Sequence, residues 1–147
     1  MEASDVKTGI GGRQRGISLL ESLVALVVLS VGLLGVAGLQ MQSLAQNRSA
    51  YLESQATNMA YDMMDRLRAN VEAVEAGQYG QGLGSTPPSG DDLAAQDRRS
   101  WLRDLAATLP QGQGAIAVNG ERVTVTVRWQ DAAAADDVRE IVLVSGL

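Results

Sequence analysis

Residues 15–39 read RGISLLESLVALVVLSVGLLGVAGL, and this stretch decides how the chain is organised. After Glu21 it carries no charge from Ser22 to Leu39, which is about 18 residues or roughly 27 Å of helix. With the residues before Glu21, the run is just long enough to cross a bilayer. Arg13 and Arg15 flank its N-terminal end, and positive charge keeps that end in the cytoplasm. The sequence therefore predicts one membrane-spanning helix, with the bulk of the chain outside the cytoplasm.

Two other interpretations of this stretch stay open. One is a buried core helix, although so long an uncharged run is unusual in a soluble domain of this size. The other is a conventional secretory signal cut after Ala45, because Ser43-Leu44-Ala45 has a small-x-small pattern. That cut would release a soluble periplasmic binding domain. Neither interpretation explains Glu21, a carboxylate that is costly in a membrane helix and usually marks a function there.

Composition narrows the class of protein further. The 147 residues suffice for one modest domain and one long helix. A net charge of −5 with 3% aromatic residues argues against nucleic-acid binding. The absence of cysteine and histidine removes disulfides, thiolate nucleophiles, most zinc sites and the commonest general base. We therefore expect a protein without catalytic residues, metal or cofactor, rather than an enzyme.

The predicted helix continues beyond the membrane, since no proline occurs from Ile17 to Ala76. In the polar part of this stretch, apolar residues continue, and from Leu52 onward they are mostly three or four positions apart. They are Leu44, Leu52, Ala56, Met59, Met63, Leu67, Val71 and Val74. These steps predict one amphipathic face. We assign residues 17–40 to the membrane half and 41–76 to the amphipathic half. A single helix to about Asn70 would be roughly 80 Å long.

Three glycines, Gly32, Gly35 and Gly38, repeat every three residues inside the apolar run. Each costs helix stability, up to about 1 kcal/mol relative to alanine. Small residues let helices approach closely in a membrane, which is one interpretation. The other is a weak segment that stretches or melts when the subunit leaves the bilayer, and the two interpretations are compatible.

Charged residues near the end of the helix fall at pairing distances. Asp62 and Arg66 are spaced i,i+4, and Asp65 and Arg68 are spaced i,i+3. Such pairs stabilise an exposed helix face by a few tenths of a kcal/mol each. The group of four is either an ordinary solvated face or a docking surface for a neighbouring subunit.

Residues 77–147 predict a small globular part. Residues 77–90 are rich in glycine, proline and serine, which indicates a mobile loop. Asp91 or Asp92 can cap a short helix that Pro110 closes. The expected inward positions of this helix are Leu93, Trp101, Leu105 and Leu109.

Strands follow this helix. Residues 115–118 and 122–130 flank Asn119-Gly120, which predicts a hairpin with these two residues in the turn. Residues 122–130 alternate between apolar and polar side chains, so one face should be buried. Residues 138–144 predict a third strand after a break at 131–137. The expected fold class is α+β, with a short helix and a three-stranded antiparallel sheet packed on one long helix.

The N-terminal residues resemble the prepilin signal that prepilin peptidase recognises. A cut after Gly16 would create an α-amine on Ile17, one helical turn before Glu21. The resemblance implies that residues 1–16 are a leader, that Ile17 is methylated after cleavage, and that Glu21 is the assembly glutamate. Major pilins usually carry phenylalanine where this chain has Ile17, and minor pilins vary there.

The helix also resembles the minor type IV pilins of the PilV class. The stretches that carry the resemblance are residues 32–40, Ala50-Tyr51, Ser54-Gln55-Ala56 and, most specifically, residues 60–70, AYDMMDRLRAN. Membership would imply the type IV pilin fold and a non-catalytic subunit that helps to start pilus assembly. Pilus-dependent twitching motility and cell adhesion would follow from that role.

The same resemblance implies partners and a location. The partners would be minor pilins of the FimU, PilW and PilX types, the major pilin, a PilY-class tip adhesin and the prepilin peptidase. The precursor would cross the inner membrane once with its C-terminal part in the periplasm, and the mature subunit would reach the cell surface in the pilus. The alternative is a minor pseudopilin of type II secretion, similar to GspI, which shares the signal and the fold.

Overall fold

The computed structural model describes residues 15–131 and 137–147, and the side chains of residues 15–17 lie outside that description. The elements in chain order are α1 (Arg15–Ala69), α2 (Val71–Glu75), α3 (Leu93–Thr108), β1 (Gln113–Asn119), β2 (Arg122–Gln130) and β3 (Val138–Gly146). The chain divides after Ser43 into two units, residues 1–43 and residues 44–147. The predicted α+β class, with one long helix, a short helix and a three-stranded antiparallel sheet, is confirmed.

Helix α1 runs for 55 residues, because no proline removes a backbone donor along its length. It ends next to the predicted position, where Asn70 takes φ −136° and ψ 52° and leaves the helical region. The short helix α2 follows and continues to Glu75. Gly77, with φ of +73°, then lets the chain turn away. The stretch expected to be amphipathic to residue 76 is thus divided between α1 and α2.

One face of residues 44–69 of α1 is buried in the core of the C-terminal unit. Its buried residues are Leu52, Ala56, Ala60, Met63, Met64 and Leu67. The predicted stripe is confirmed for most of its members, and Met59 is partly buried beside it. Leu44, which precedes the regular three- and four-residue steps, is 68% exposed. The core begins only at Leu52, two turns further along the helix.

Helix α3 begins at an N-cap. The side chain of Asp92 accepts a hydrogen bond from the backbone N–H of Ala95 over 2.8 Å, as a capping aspartate should. Trp101, Leu105 and Leu109 are buried as predicted. Leu93 is 59% exposed, so its predicted inward position was wrong. The neighbouring Ala94 takes the buried position, and one residue rotates a helix by about 100°.

The three strands form an antiparallel sheet in the order β1-β2-β3. On β2, the buried residues Val123, Val125, Val127 and Trp129 alternate with half-buried polar residues, which confirms the predicted alternation. This apolar face joins the α1 stripe and Trp101 in one core. Full burial of each such side chain contributes about 1.5–3 kcal/mol, and so small a sheet depends on this cover.

The hairpin turn differs from the prediction by one residue. Asn119 pairs with Arg122 across the ladder, so the two residues between the strands are Gly120 and Glu121. Gly120 has φ of +61°, whereas Asn119 lies in the strand without a positive φ. A glycine at the first central position provides the left-handed backbone that such a tight turn requires.

The glycine-rich stretch 77–90 has the irregular backbone predicted for it, but the core holds it in place. Tyr79 is fully buried and Gln81 is 8% exposed. Gln81 also exchanges two backbone hydrogen bonds with Ile116 of β1, over 3.0 and 2.8 Å. The stretch therefore covers the core and the edge of β1, which its composition alone did not indicate.

Candidate functional site

The first unit presents an apolar helical surface. Between Leu19 and Leu39, every large apolar side chain is at least half exposed within this chain. In the part of the chain that the structure describes, this is the one helix long and apolar enough to cross a membrane, by length and composition. So much exposed apolar surface is stable in a bilayer or against other subunits, but not in water.

Two serines in this apolar run have their hydroxyls satisfied inside the helix. Ser22 donates to the carbonyl oxygen of Ser18, and Ser30 donates to that of Leu26, each over 2.7 Å. Such bonds to the residue four positions earlier remove the cost of a free hydroxyl in hydrocarbon. The segment is therefore compatible with an apolar surrounding except at Glu21.

Glu21 is exposed in the first turns of α1. It follows Ile17 by one turn, about 6 Å along the helix axis. The backbone of Gly16 and Ile17 belongs to α1, but the side chain of Ile17 and the predicted leader residues 1–14 lie outside the described residues. Cleavage after Gly16, methylation of Ile17 and the assembly role of Glu21 therefore stay predictions.

The three glycines of the apolar run lie in a continuous part of α1. A Cβ atom added at Gly32, Gly35 or Gly38 would meet nothing within 4 Å. Contacts within the described chain therefore do not require glycine at these positions. Their use in close packing against another helix, or in stretching, remains a prediction.

The C-terminal unit contains a polar network centred on Arg66. One guanidinium nitrogen of Arg66 lies 2.8 Å from a carboxylate oxygen of Asp62, which confirms the predicted i,i+4 pair. The other donates to Ser100 over 2.8 Å and lies 3.5 Å from Asp97 on α3. Arg66 thus connects α1 to α3, which its position in the sequence did not reveal.

Tyr79 completes the network from the loop side. Its hydroxyl donates to Asp97 over 2.7 Å and accepts from the side-chain amide of Asn70 over 3.2 Å. Burial raises the pKa of Tyr79 above its ordinary value of 10.0, and the carboxylate of Asp97 raises it further. The Arg66 network, defined as Asp62, Arg66, Asn70, Tyr79, Asp97 and Ser100, therefore joins α1, the glycine-rich loop and α3.

The second predicted charge pair lies on the surface. Arg68 contacts Asp65 at 3.3 Å and donates to the hydroxyl of Ser145 over 2.8 Å, and both charged side chains are largely exposed. Of the four candidate docking residues, Asp65, Arg68 and Asp62 keep about half or more of their side-chain surface exposed. Arg66 is the most buried of the four, because it also binds α3.

Sequence reasoning missed Asn70, Tyr79, Asp97 and Ser100. The available signal was Tyr79, the single aromatic residue of the glycine-rich stretch.

No group of three or more acidic residues within 15–131 and 137–147 is arranged to hold a metal ion.

Comparison with known proteins finds a known motif in the N-terminal part of the chain. Residues 11–37 match the prokaryotic N-terminal methylation motif, a stretch that includes Gly16, Ile17 and Glu21. No curated protein and no solved structure matches the chain. The motif indicates a structural protein rather than an enzyme. Together with the long apolar helix and the α+β domain, it supports a type IV pilin-like protein that begins as a membrane-anchored precursor.

Proposed function

We propose that this chain is a minor pilin of the PilV class that enters a type IV pilus and helps to start its assembly at the tip. The observation that carries the proposal is the methylation motif at residues 11–37, which includes most of the exposed apolar part of α1. Motility and adhesion would depend on the pilus that the subunit helps to build. In this proposal the chain performs no chemistry and contributes only contacts.

The proposed maturation depends on three positions. Prepilin peptidase would cut between Gly16 and Ile17, and the new α-amine of Ile17 would then be methylated. The amine and the carboxylate of Glu21 would lie one helical turn apart, or meet between staggered subunits. Opposite charges that pair in an apolar surrounding offset part of their large cost of desolvation. Glu21 would thereby favour a subunit packed beside another subunit over one alone in lipid.

Docking between subunits would use two surfaces. Gly32, Gly35 and Gly38 would let a neighbouring helix approach in the membrane half. In the C-terminal unit, Asp62, Asp65 and Arg68 present exposed charges for neighbouring minor pilins. Arg66 would act indirectly, because its contacts with α3 hold the carboxylate of Asp62 in place.

A minor pseudopilin of type II secretion is the second candidate. The methylation motif is equally expected in such a protein, so the motif does not separate the two functions. Residues 60–70, whose pattern resembles the PilV class, favour the pilus. The proposed partners are then other minor pilins of the FimU, PilW and PilX types, the major pilin and a PilY-class tip adhesin.

The decisive experiment measures the intact mass and the N-terminal residue of the protein from membranes and from sheared surface fibres. We expect a methylated N-terminus at Ile17, and we expect the mature chain to be recovered with the pili. A methylated Ile17 in the membrane fraction alone, with loss of protein secretion on deletion, would favour the pseudopilin. A soluble form beginning after Ala45 would overturn both candidates.

A further inference from the structure

A cleft of about 460 Å³ opens in the C-terminal unit between α2 and the tip of the β1–β2 hairpin. Its volume lies within the range of about 300–1,000 Å³ that is common for binding pockets. None of its lining residues belongs to the apolar part of α1 or to the Arg66 network. The function proposed above therefore does not use this cleft.

The floor of the cleft is apolar. Val71 of α2 lines one side together with the fully buried Val74, and Val118 of β1 lines the other. Leu147 adds its side chain and stays 37% exposed. The backbone N–H of Leu147 donates to the carbonyl oxygen of Glu121 over 3.0 Å, which holds this leucine against the hairpin tip. The result is a preformed apolar surface against which an aliphatic side chain can pack.

The charged residues of the cleft have one sign. Glu75 and Glu121 both line it, and both are exposed at its rim. No lysine or arginine lines it, and neither carboxylate forms an ion pair within the described residues. An apolar floor with an acidic rim is complementary to a side chain that has an aliphatic stem and a cationic head.

We propose that this cleft binds a lysine or arginine side chain presented by a segment of a partner protein. The aliphatic stem lies on Val71 and Val118, and the cationic head lies between the carboxylates of Glu75 and Glu121. Burial of the stem accounts for affinity, and the two carboxylates select a cation over a neutral side chain. The site goes beyond the proposed function, because it holds for a pilus and for a secretion apparatus alike.

The test is an NMR titration of the full chain in detergent micelles, with the methyl groups of valine and leucine labelled. The probe is acetyl-Ala-Lys-Ala-amide, and its matched control is acetyl-Ala-norleucine-Ala-amide, which keeps the stem without the ammonium group. We expect the lysine peptide to shift the Val71, Val118 and Leu147 signals to saturation, and the norleucine peptide to bind more weakly. Glu75→Gln and Glu121→Gln should each lower the affinity for the lysine peptide by about two- to fivefold, as expected for exposed ion pairs.

Glu72→Gln is the control variant, because Glu72 also lies on α2 but lines a different hollow. It should leave the affinity for the lysine peptide unchanged. Equal shifts from both peptides, or an unchanged affinity in the double glutamine variant, would overturn the proposal. Spermidine binding as tightly as the lysine peptide would also overturn it, because the cleft would then select a free polyamine rather than a protein segment. An unaltered methyl spectrum outside the cleft verifies that each variant is folded.

Discussion

The hydroxyl of Tyr79 donates a hydrogen bond to a carboxylate oxygen of Asp97 over 2.7 Å, while its ring is completely buried. Asp97 also lies 3.5 Å from Arg66, so one carboxylate joins the glycine-rich loop to both long helical segments of the C-terminal unit. A partly buried network whose members are all hydrogen-bonded favours one arrangement of its elements. We therefore regard this contact as the point that fixes the loop on the core.

The stability of the C-terminal unit should fall in alkaline solution because of Tyr79. Its pKa in the folded protein is raised above 10.0, mainly by burial and then by Asp97. The folded state thus holds the neutral phenol more strongly than the unfolded chain does. This contribution is complete below about pH 10 and is lost as pH rises through the pKa of the folded protein. Urea denaturation followed by tryptophan fluorescence at several pH values measures the effect.

Tyr79→Phe should cost about 1–3 kcal/mol at neutral pH, because Asp97 loses a buried donor. In the same variant, the stability of the C-terminal unit should fall less steeply as pH rises above about 10. Tyr61→Phe is the control, since Tyr61 is 51% exposed on α1. An equally steep decline in the Tyr79 variant would contradict this role.

Arg66 and Arg68 should differ in their effect on stability although they are two residues apart. Arg66→Met removes the hydrogen bond to Ser100 and the contact with Asp97, and we expect a loss of about 1–2 kcal/mol. Arg68→Met removes an exposed ion pair with Asp65 and an exposed hydrogen bond to Ser145, and it should cost about 0–1 kcal/mol. Methionine and arginine have similar helix propensities, so thermal unfolding compares the contacts themselves. Equal losses would mean that the contact with α3 contributes little.

Gly114 should not tolerate a side chain. A Cβ atom there would collide with the ring of Trp101 and with a methyl group of Leu105. Gly114→Ala should therefore cost about 1–3 kcal/mol through overpacking. Near-ultraviolet circular dichroism should also show an altered tryptophan environment. Gly80→Ala is the matched control, because its added Cβ would come no closer than 3.9 Å to another group.

Charges placed in the core should unfold the C-terminal unit. Met63 is fully buried on α1 and Trp129 is 3% exposed on β2, so aspartate at either position would be a desolvated, unpaired charge. We expect Met63→Asp and Trp129→Asp to make residues 44–147 sensitive to protease. Tyr61→Asp, on the exposed face of the same helix, should leave the resistance unchanged. Protease resistance in the two core variants would contradict this packing.

Glu21 should affect assembly without affecting cleavage. Under the proposed function, Glu21→Ala keeps Gly16 and Ile17 for the peptidase but removes the carboxylate that pairs with the new α-amine. We expect the mature mass to be unchanged and the amount in sheared pili to fall several-fold. Glu53→Ala is the control, since Glu53 is an exposed carboxylate further along α1. Unchanged amounts of the Glu21 variant in pili would refute the proposed role.

Local patterns predicted most elements of the fold. The alternation in residues 122–130 and the three- and four-residue steps of α1 describe faces that depend only on backbone period, and both were confirmed. Leu93 and the hairpin turn were wrong by one residue each. A local sequence pattern fits nearly as well when it is moved by one residue. The exact residue that is buried or lies in the turn is therefore decided by packing against distant parts of the chain.

The sequence by itself determined the methylation motif, the membrane-length helix and the exclusion of histidine and cysteine chemistry, because each depends on residue identity and spacing alone. Only the tertiary structure decided that Arg66 turns toward α3 while Arg68 stays on the surface, and that Tyr79 anchors the loop. The physical reason is the distance between partners along the chain. Helix and strand periods follow from neighbouring residues, whereas Arg66 and Ser100 meet only after 34 residues of chain have folded back.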